Sequence, residues 1–102
     1  MVSHLKTLFV VSFCVVTLPV VAADEFKTTV WTSGEGAYHT YRIPSVIRTM
    51  NGTLLAFCEG RRSGRGDAGN IDLLLKRSFN GGKTWSDAVV LWDDNGHTCG
   101  NP

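Results

Sequence analysis

The sequence predicts an all-β fold, a four-stranded antiparallel meander, and three observations carry that prediction. Short runs rich in β-branched, aromatic and aliphatic residues centre on Val30, Ile43 to Met50, Thr53 to Glu59, Ile71 to Arg77 and Ala88 to Trp92. Clusters of Gly, Asn, Ser and Asp separate these runs, and no window sustains a helical period. Asn51-Gly52, between two of the runs, is the preferred pair for a two-residue type I′ hairpin.

Residues 1–23 are set apart first. Lys6 supplies a positive charge, Thr7 to Val21 is an almost unbroken apolar run, and Val21-Ala22-Ala23 puts small residues ahead of Asp24-Glu25. This is the pattern of a secretory signal peptide cleaved after Ala23. The competing reading is a membrane anchor, but about 15 apolar residues fall short of the roughly 20 that span a bilayer. Cys14 lies inside the apolar run and is removed with it.

Residues 24–102 remain, and with Lys6 gone the formal charge falls from +1 to zero. That balance gives no electrostatic case for nucleic acid or an anionic membrane surface. Two cysteines, Cys58 and Cys99, enter an export compartment where a disulfide could persist. Cys58 sits in an apolar strand, which favours a buried thiol over a bridge. Gly100-Asn101-Pro102 closes the sequence without a terminal element, the expectation for a fragment of a longer protein.

Taken strand by strand, a two-residue loop at Asn51-Gly52 sets Met50 opposite Thr53 and, counting back, Arg42 opposite Arg61. Like charges directly opposite destabilise a sheet, so the pair needs an anion between or above it. Otherwise the register slips or both arginines splay into solvent, and spacing leaves these open. Asn51-Gly52-Thr53 also spells an N-glycosylation sequon, read first as turn chemistry. The chain then enters the polar loop Arg62 to Asn70, which places Asp67 at the end of Arg42 and Arg61. Ile71 to Arg77 leads away, "SFNGGKTW" turns at the far end, and Ala88 to Trp92 returns. Leu54-Leu55-Ala56-Phe57 and Leu73-Leu74-Leu75 make both faces apolar, so the sheet wants neighbours. A four-stranded meander covered on both faces is one blade of a β-propeller.

Two arginines can hold a carboxylate, sulfate or phosphate, and the guanidinium fork favours bidentate capture of a carboxylate. Asp67 can serve as proton donor and acceptor or pair with Arg65. Acid work needs a raised pKa, and arginines alone lower it. His39 beside the Arg42 end either lines a site or lies on the surface. No Gly-rich phosphate loop is present, and His39 and His97 have no metal-ligand spacing to Cys58 or Cys99, so no cofactor and no metal is expected. Arg65-Gly66-Asp67 matches a short cell-adhesion tripeptide, too short to carry a function.

Tyr41-Arg42-Ile43-Pro44, then "NGTLLAFCEGRR", Asp67 and "RSFNGGKTW", closely resemble the start of the bacterial-type exo-α-sialidases, or neuraminidases. That family repeats a turn called the Asp-box, Ser-x-Asp-x-Gly-x-Thr-Trp. Ser78, Asn80, Gly82, Thr84 and Trp85 match it, with Asn80 in the aspartate's place. The likeness runs from about Tyr38 to Pro102. It implies a six-bladed β-propeller, of which this chain is the first blade and the start of the next. It makes Arg42 the first of three arginines that clamp the sialic acid carboxylate. Arg61 becomes a pocket arginine, with Arg62 the alternative if the alignment slips by one, and Asp67 the acid/base. It implies hydrolysis with retention through a tyrosine activated by a glutamate, an exception to paired carboxylates. Those two residues are expected beyond Pro102, since Tyr38 and Tyr41 fall in the wrong place. The resemblance thus implies a secreted enzyme acting on sialic acid-containing glycans, with no nucleic acid partner and no membrane span after leader cleavage. The fragment alone is expected to be inactive. A non-catalytic sialoglycan-binding propeller and a trans-sialidase are the competing readings. The resemblance also puts the Asp-box on the rim away from the active site, where the strand count put it independently.

Overall fold

A computed structural model describes residues 8–20 and 25–102. Residues 8–20 have no regular secondary structure and lie exposed, and the predicted cleavage point after Ala23 lies outside the described residues. No helix among the described residues is long and apolar enough to cross a membrane.

Four strands form one sheet in chain order: β1 (Thr40–Arg48), β2 (Leu54–Arg61), β3 (Ile71–Ser78) and β4 (Val89–Trp92), each antiparallel to the next. The all-β meander holds, and its alternating side chains divide into two faces. Cross-strand partners share a face, so Thr40, Arg42, Glu59, Arg61, Ile71 and Leu73 belong to one, and Tyr41, Cys58, Gly60, Asp72 and Leu74 to the other. The run around Val30 forms no strand. Its carbonyl instead accepts a bond from Lys76 Nζ at 2.8 Å, and the ammonium lies 4.6 Å above the Trp31 ring.

The register differs from the predicted one in two places. A type I′ turn needs positive φ at both central residues; Gly52 has it (88°) and Asn51 does not. The loop is three residues, Met50-Asn51-Gly52, closed by Thr49 N–H to Thr53 C=O at 2.9 Å and Gly52 N–H to Thr49 C=O at 3.0 Å. Its cause is Thr49, whose hydroxyl binds the Asn51 side chain and takes the Thr53 N–H at 3.1 Å, holding the wider loop. Arg48 therefore faces Leu54. The second change is a β-bulge in β1, where Ile43 and Pro44 together oppose Cys58, between the pairs Arg42↔Glu59 and Ser45↔Phe57. Proline has no N–H to lose there. Ile43 takes φ 54°, a left-handed conformation costly for a β-branched residue, on the order of 1–3 kcal/mol. Arg42 consequently opposes Glu59, and the predicted Arg42–Arg61 opposition is corrected.

Ala56, Cys58, Ile71, Leu74 and Leu75 form the buried core, each large apolar side chain contributing about 1.5–3 kcal/mol. Tyr38 lies across Gly60, where a side chain cannot fit: a Cβ would come within 2.6 Å of Leu74 Cδ1 and 2.7 Å of the Tyr38 ring. Tyr38 Oη donates to Asp72 Oδ2 at 2.8 Å. Cys58 and Cys99 are free thiols. Cys58 Sγ lies 3.1 Å from the Arg42 carbonyl, so the thiol donates to a backbone group beside the bulge. Val46 and Ile47 on β1 and Val89 to Trp92 on β4 remain exposed, as in one propeller blade whose flanking sheets would cover them.

Two outcomes are expected for the complete protein. Gly60→Ala should lower unfolding stability by about 1–3 kcal/mol in a denaturant titration, because the added methyl overpacks the site. Burial, reinforced by Glu59, pushes the Cys58 thiol up to about 11, and burial with the Asp72 bond pushes the Tyr38 phenol up to about 12. Both neutral forms are favoured by folding, so the associated stability is full below the ordinary values of 9.0 and 10.0 and is lost as pH rises through 11 and 12. Melting temperatures measured between pH 8 and 12 should fall most steeply across that interval (the window set by those two groups), and the fall should shrink in Cys58→Ala.

Candidate active site

Three elements converge at the end of the sheet away from the Asn51 loop. The bulge turns Arg42 onto the face that carries Glu59 and Arg61, and the nine-residue connection Arg62 to Asn70, closed by Arg62 N–H to Asn70 C=O at 3.1 Å, delivers Asp67. Asp67 Oδ1 accepts from Arg61 Nη1 at 2.8 Å and from Arg42 Nη1 at 3.1 Å. The two cations meet on one carboxylate oxygen. Their exposures differ sharply: the Arg61 side chain is 4% exposed, Arg42 48% and Asp67 85%. The Arg61 hydrogen bond and charge, then the Arg42 charge, hold the Asp67 carboxyl below its usual range.

Arg61 is held from beneath by Glu59. Glu59 Oε2 accepts from Arg61 Nη2 at 2.6 Å and from Nε at 3.0 Å, while Arg61 Nη1 also reaches the Arg65 carbonyl at 2.6 Å. That carboxylate raises the Arg61 pKa, which stays a cation at every relevant pH. Arg62 points elsewhere. Its Nη2 and Nε bind the buried Asp72 Oδ2 at 2.8 and 3.1 Å, and its guanidinium lies 4.9 Å above the Tyr38 ring. Thus Arg61, not Arg62, meets Asp67, and Asp67 pairs with Arg61 and Arg42 rather than with Arg65.

A segment after β4 completes the walls. His97 C=O accepts from Ile71 N–H at 3.3 Å and Cys99 N–H donates to Ile71 C=O at 2.8 Å, laying Thr98 parallel to the start of β3. Thr98 Oγ1 exchanges bonds with the Gly69 N–H (3.0 Å) and C=O (3.1 Å), tying this segment to the loop of Asp67. The result is an open cleft of about 510 Å³ bounded by Arg42, Ile43, Glu59, Arg61, Asp67, Thr98, Gly100 and Asn101. His39 is exposed and lines a second, adjoining cleft with Thr40, Arg42 and Arg65; its Nδ1 lies 2.7 Å from Thr40 Oγ1.

The turn after β3 lies at the opposite end, since Ser78 pairs with Leu54 and Arg61 with Ile71. Buried Ser78 Oγ takes the Gly82 N–H at 2.9 Å and bonds Asn80 Oδ1 at 3.0 Å. Asn80 Oδ1 takes the Thr84 N–H at 2.9 Å, Asn80 Nδ2 donates to Thr84 Oγ1 at 2.7 Å, and Trp85 Nε1 donates to Gly82 C=O at 3.1 Å. An asparagine therefore keeps the acceptor and adds a donor.

The comparisons with known proteins address this arrangement. No family model matches the chain. It is 45% identical over 76 residues to an exo-alpha-sialidase of Arthroderma benhamiae and 44% identical over 71 residues to one of Aspergillus fumigatus, covering 69% and 64% of this chain. A sialidase of Micromonospora viridifaciens is 37% identical over 59 residues, 58% of this chain. The chain belongs to the sialidase family. It spans 18% of the length of each fungal sialidase and 9% of the bacterial one.

Sequence reasoning missed Glu59, Thr98 and Asn101 at the cleft. Glu59 carried a readable signal, a carboxylate two residues before Arg61 and hence on the same face of an apolar strand. Thr98 and Asn101 carried none. The carboxyl of Asp67, followed by carbon NMR in the complete protein, should titrate below 3.8. Arg42→Met should move that midpoint up, because one of the two cations favouring the ionised form is gone. A midpoint that does not move would remove Arg42 from the pair.

Proposed function

We propose that the complete protein is a secreted exo-α-sialidase that hydrolyses terminal α-linked sialic acids with retention, on a six-bladed propeller of which this chain forms the first blade. The observation that carries the reading is the convergence of two guanidiniums on a highly exposed carboxylate, Asp67, in a chain with sialidase relatives. Without substrate, Asp67 itself acts as the anion for Arg42 and Arg61. A sialic acid carboxylate would take the half-exposed Arg42, for which bidentate capture is available, and leave Asp67 beside a new negative charge. Both changes raise the Asp67 pKa, the direction a general acid needs to protonate the leaving glycosidic oxygen. Arg61 would remain fixed and bind the sugar's polar edge.

Neither tyrosine at this end suits the nucleophile. Tyr38 is buried on the other face with its phenol pushed up to about 12, and Tyr41 Oη donates to the Glu35 carbonyl at 2.8 Å. On the sialidase resemblance the nucleophilic tyrosine and its glutamate come from later blades, and residues 24–102 alone would then not turn over substrate. The apolar leader pattern of residues 1–23 supports export of the protein on this reading.

The test is release of an aryl group from its α-sialoside by the complete protein. Turnover with net retention, read by proton NMR of the first-formed anomer, is expected; a folded protein that binds sialosides without turnover would instead be a glycan-binding propeller. Asp67→Ala should cost about 10²- to 10⁴-fold on natural sialosides and much less on aryl substrates with good leaving groups. Equal losses on both would remove Asp67 from the acid role. Arg42→Lys should raise KM, since a point charge cannot reproduce the fork.

A further inference from the structure

We infer that Glu59 is a positioning residue of this site, locking Arg61 to the segment after β4 so that the guanidinium is presented to Asp67 and to substrate in one orientation; this rests on the sialidase reading. Glu59 is 4% exposed, and its two oxygens have separate tasks. Oε2 holds Arg61 through Nε and Nη2, and Oε1 accepts the Asn101 N–H at 3.0 Å. Gly100 fits against it only because it lacks a side chain: a Cβ there would overlap Glu59 Oε1. The bulge in β1 sets the same carboxylate opposite Arg42.

The charge arithmetic shows why a carboxylate stands there. Arg42 from β1 and Arg61 from β2 bring two positive charges to Asp67, while Thr98 to Asn101 bring none. Glu59 neutralises Arg61 from the buried side, so that Arg61 need not draw all its counter-charge from Asp67. A buried cation lacking that partner would either leave its place or hold Asp67 more firmly ionised. Asp67 could then be protonated less readily when substrate arrives. Glutamine cannot substitute, because it offers one acceptor and one donor where the site presents donors on both sides.

The experiment compares wild type and Glu59→Gln in the complete protein. Loss of a charge-assisted bond should raise KM for an aryl α-sialoside about 10- to 100-fold. The alkaline limb of kcat/KM should move to lower pH, because Arg61 without Glu59 favours ionised Asp67. A merely structural glutamate would lower the melting temperature and leave that limb in place. Unchanged KM and an unmoved limb in a folded Glu59→Gln protein would overturn the proposal. A second measurement needs neither a variant nor turnover: by nitrogen-resolved NMR of the wild type, the Arg61 Nε–H should exchange with solvent more slowly than that of Arg42. Equal rates would also overturn it. If Arg61 is protected but no sialoside is cleaved, the sialidase reading fails while the Glu59 lock stands.

Discussion

The site depends on one irregularity, the bulge at Ile43-Pro44. Beyond the Met50-Asn51-Gly52 loop, β1 and β2 pair in a register that would set Arg42 against Gly60, on the face occupied by Tyr38 and Asp72. The inserted residue shifts the ladder by one and brings Arg42 back to the face of Glu59 and Arg61. A strained β-branched residue at φ 54° is the cost, and the Cys58 thiol satisfies the neighbouring carbonyl. Isoleucine, proline and cysteine around one bend thus serve the placement of a single guanidinium.

Around that bend the charged groups separate into two independent systems. Glu59, Arg61, Arg42 and Asp67 share the cleft, graded from fully buried to nearly free, whereas Arg62 and Asp72 are committed to Tyr38 on the opposite face. Adjacent arginines in the chain point to opposite faces because a strand alternates. The buried pair is rigid where the exposed carboxylate can change partners. This gradient keeps Arg61 on the buried side of the cleft and leaves the Asp67 carboxylate accessible from solvent.

Much of the site was legible, for reasons that can be named. A two-residue loop would have set Arg42 opposite Arg61; the real loop is one residue longer and the bulge adds one more. The two shifts cancel in parity, so the predicted face was right although the predicted partner was wrong. Asn51-Gly52 misled because the Thr49 hydroxyl, three-dimensional chemistry at the turn, competes with the preferred pair. Glu59 was visible as a carboxylate on the Arg61 face of an apolar strand, but its meaning required knowing that Arg61 is buried.

The sequence by itself determined the all-β meander, the gathering of Arg42, Arg61 and Asp67 at one end, and the "SFNGGKTW" turn at the other. Each follows from local rules of alternation, turn chemistry and strand direction. Only the tertiary structure decided that Arg42 faces Glu59, that Arg61 rather than Arg62 meets Asp67, and that Thr98 and Asn101 wall the cleft. Those depend on a backbone bulge and on a segment folding back some thirty to forty residues later, and neither has a local energetic signature strong enough to be read in the chain.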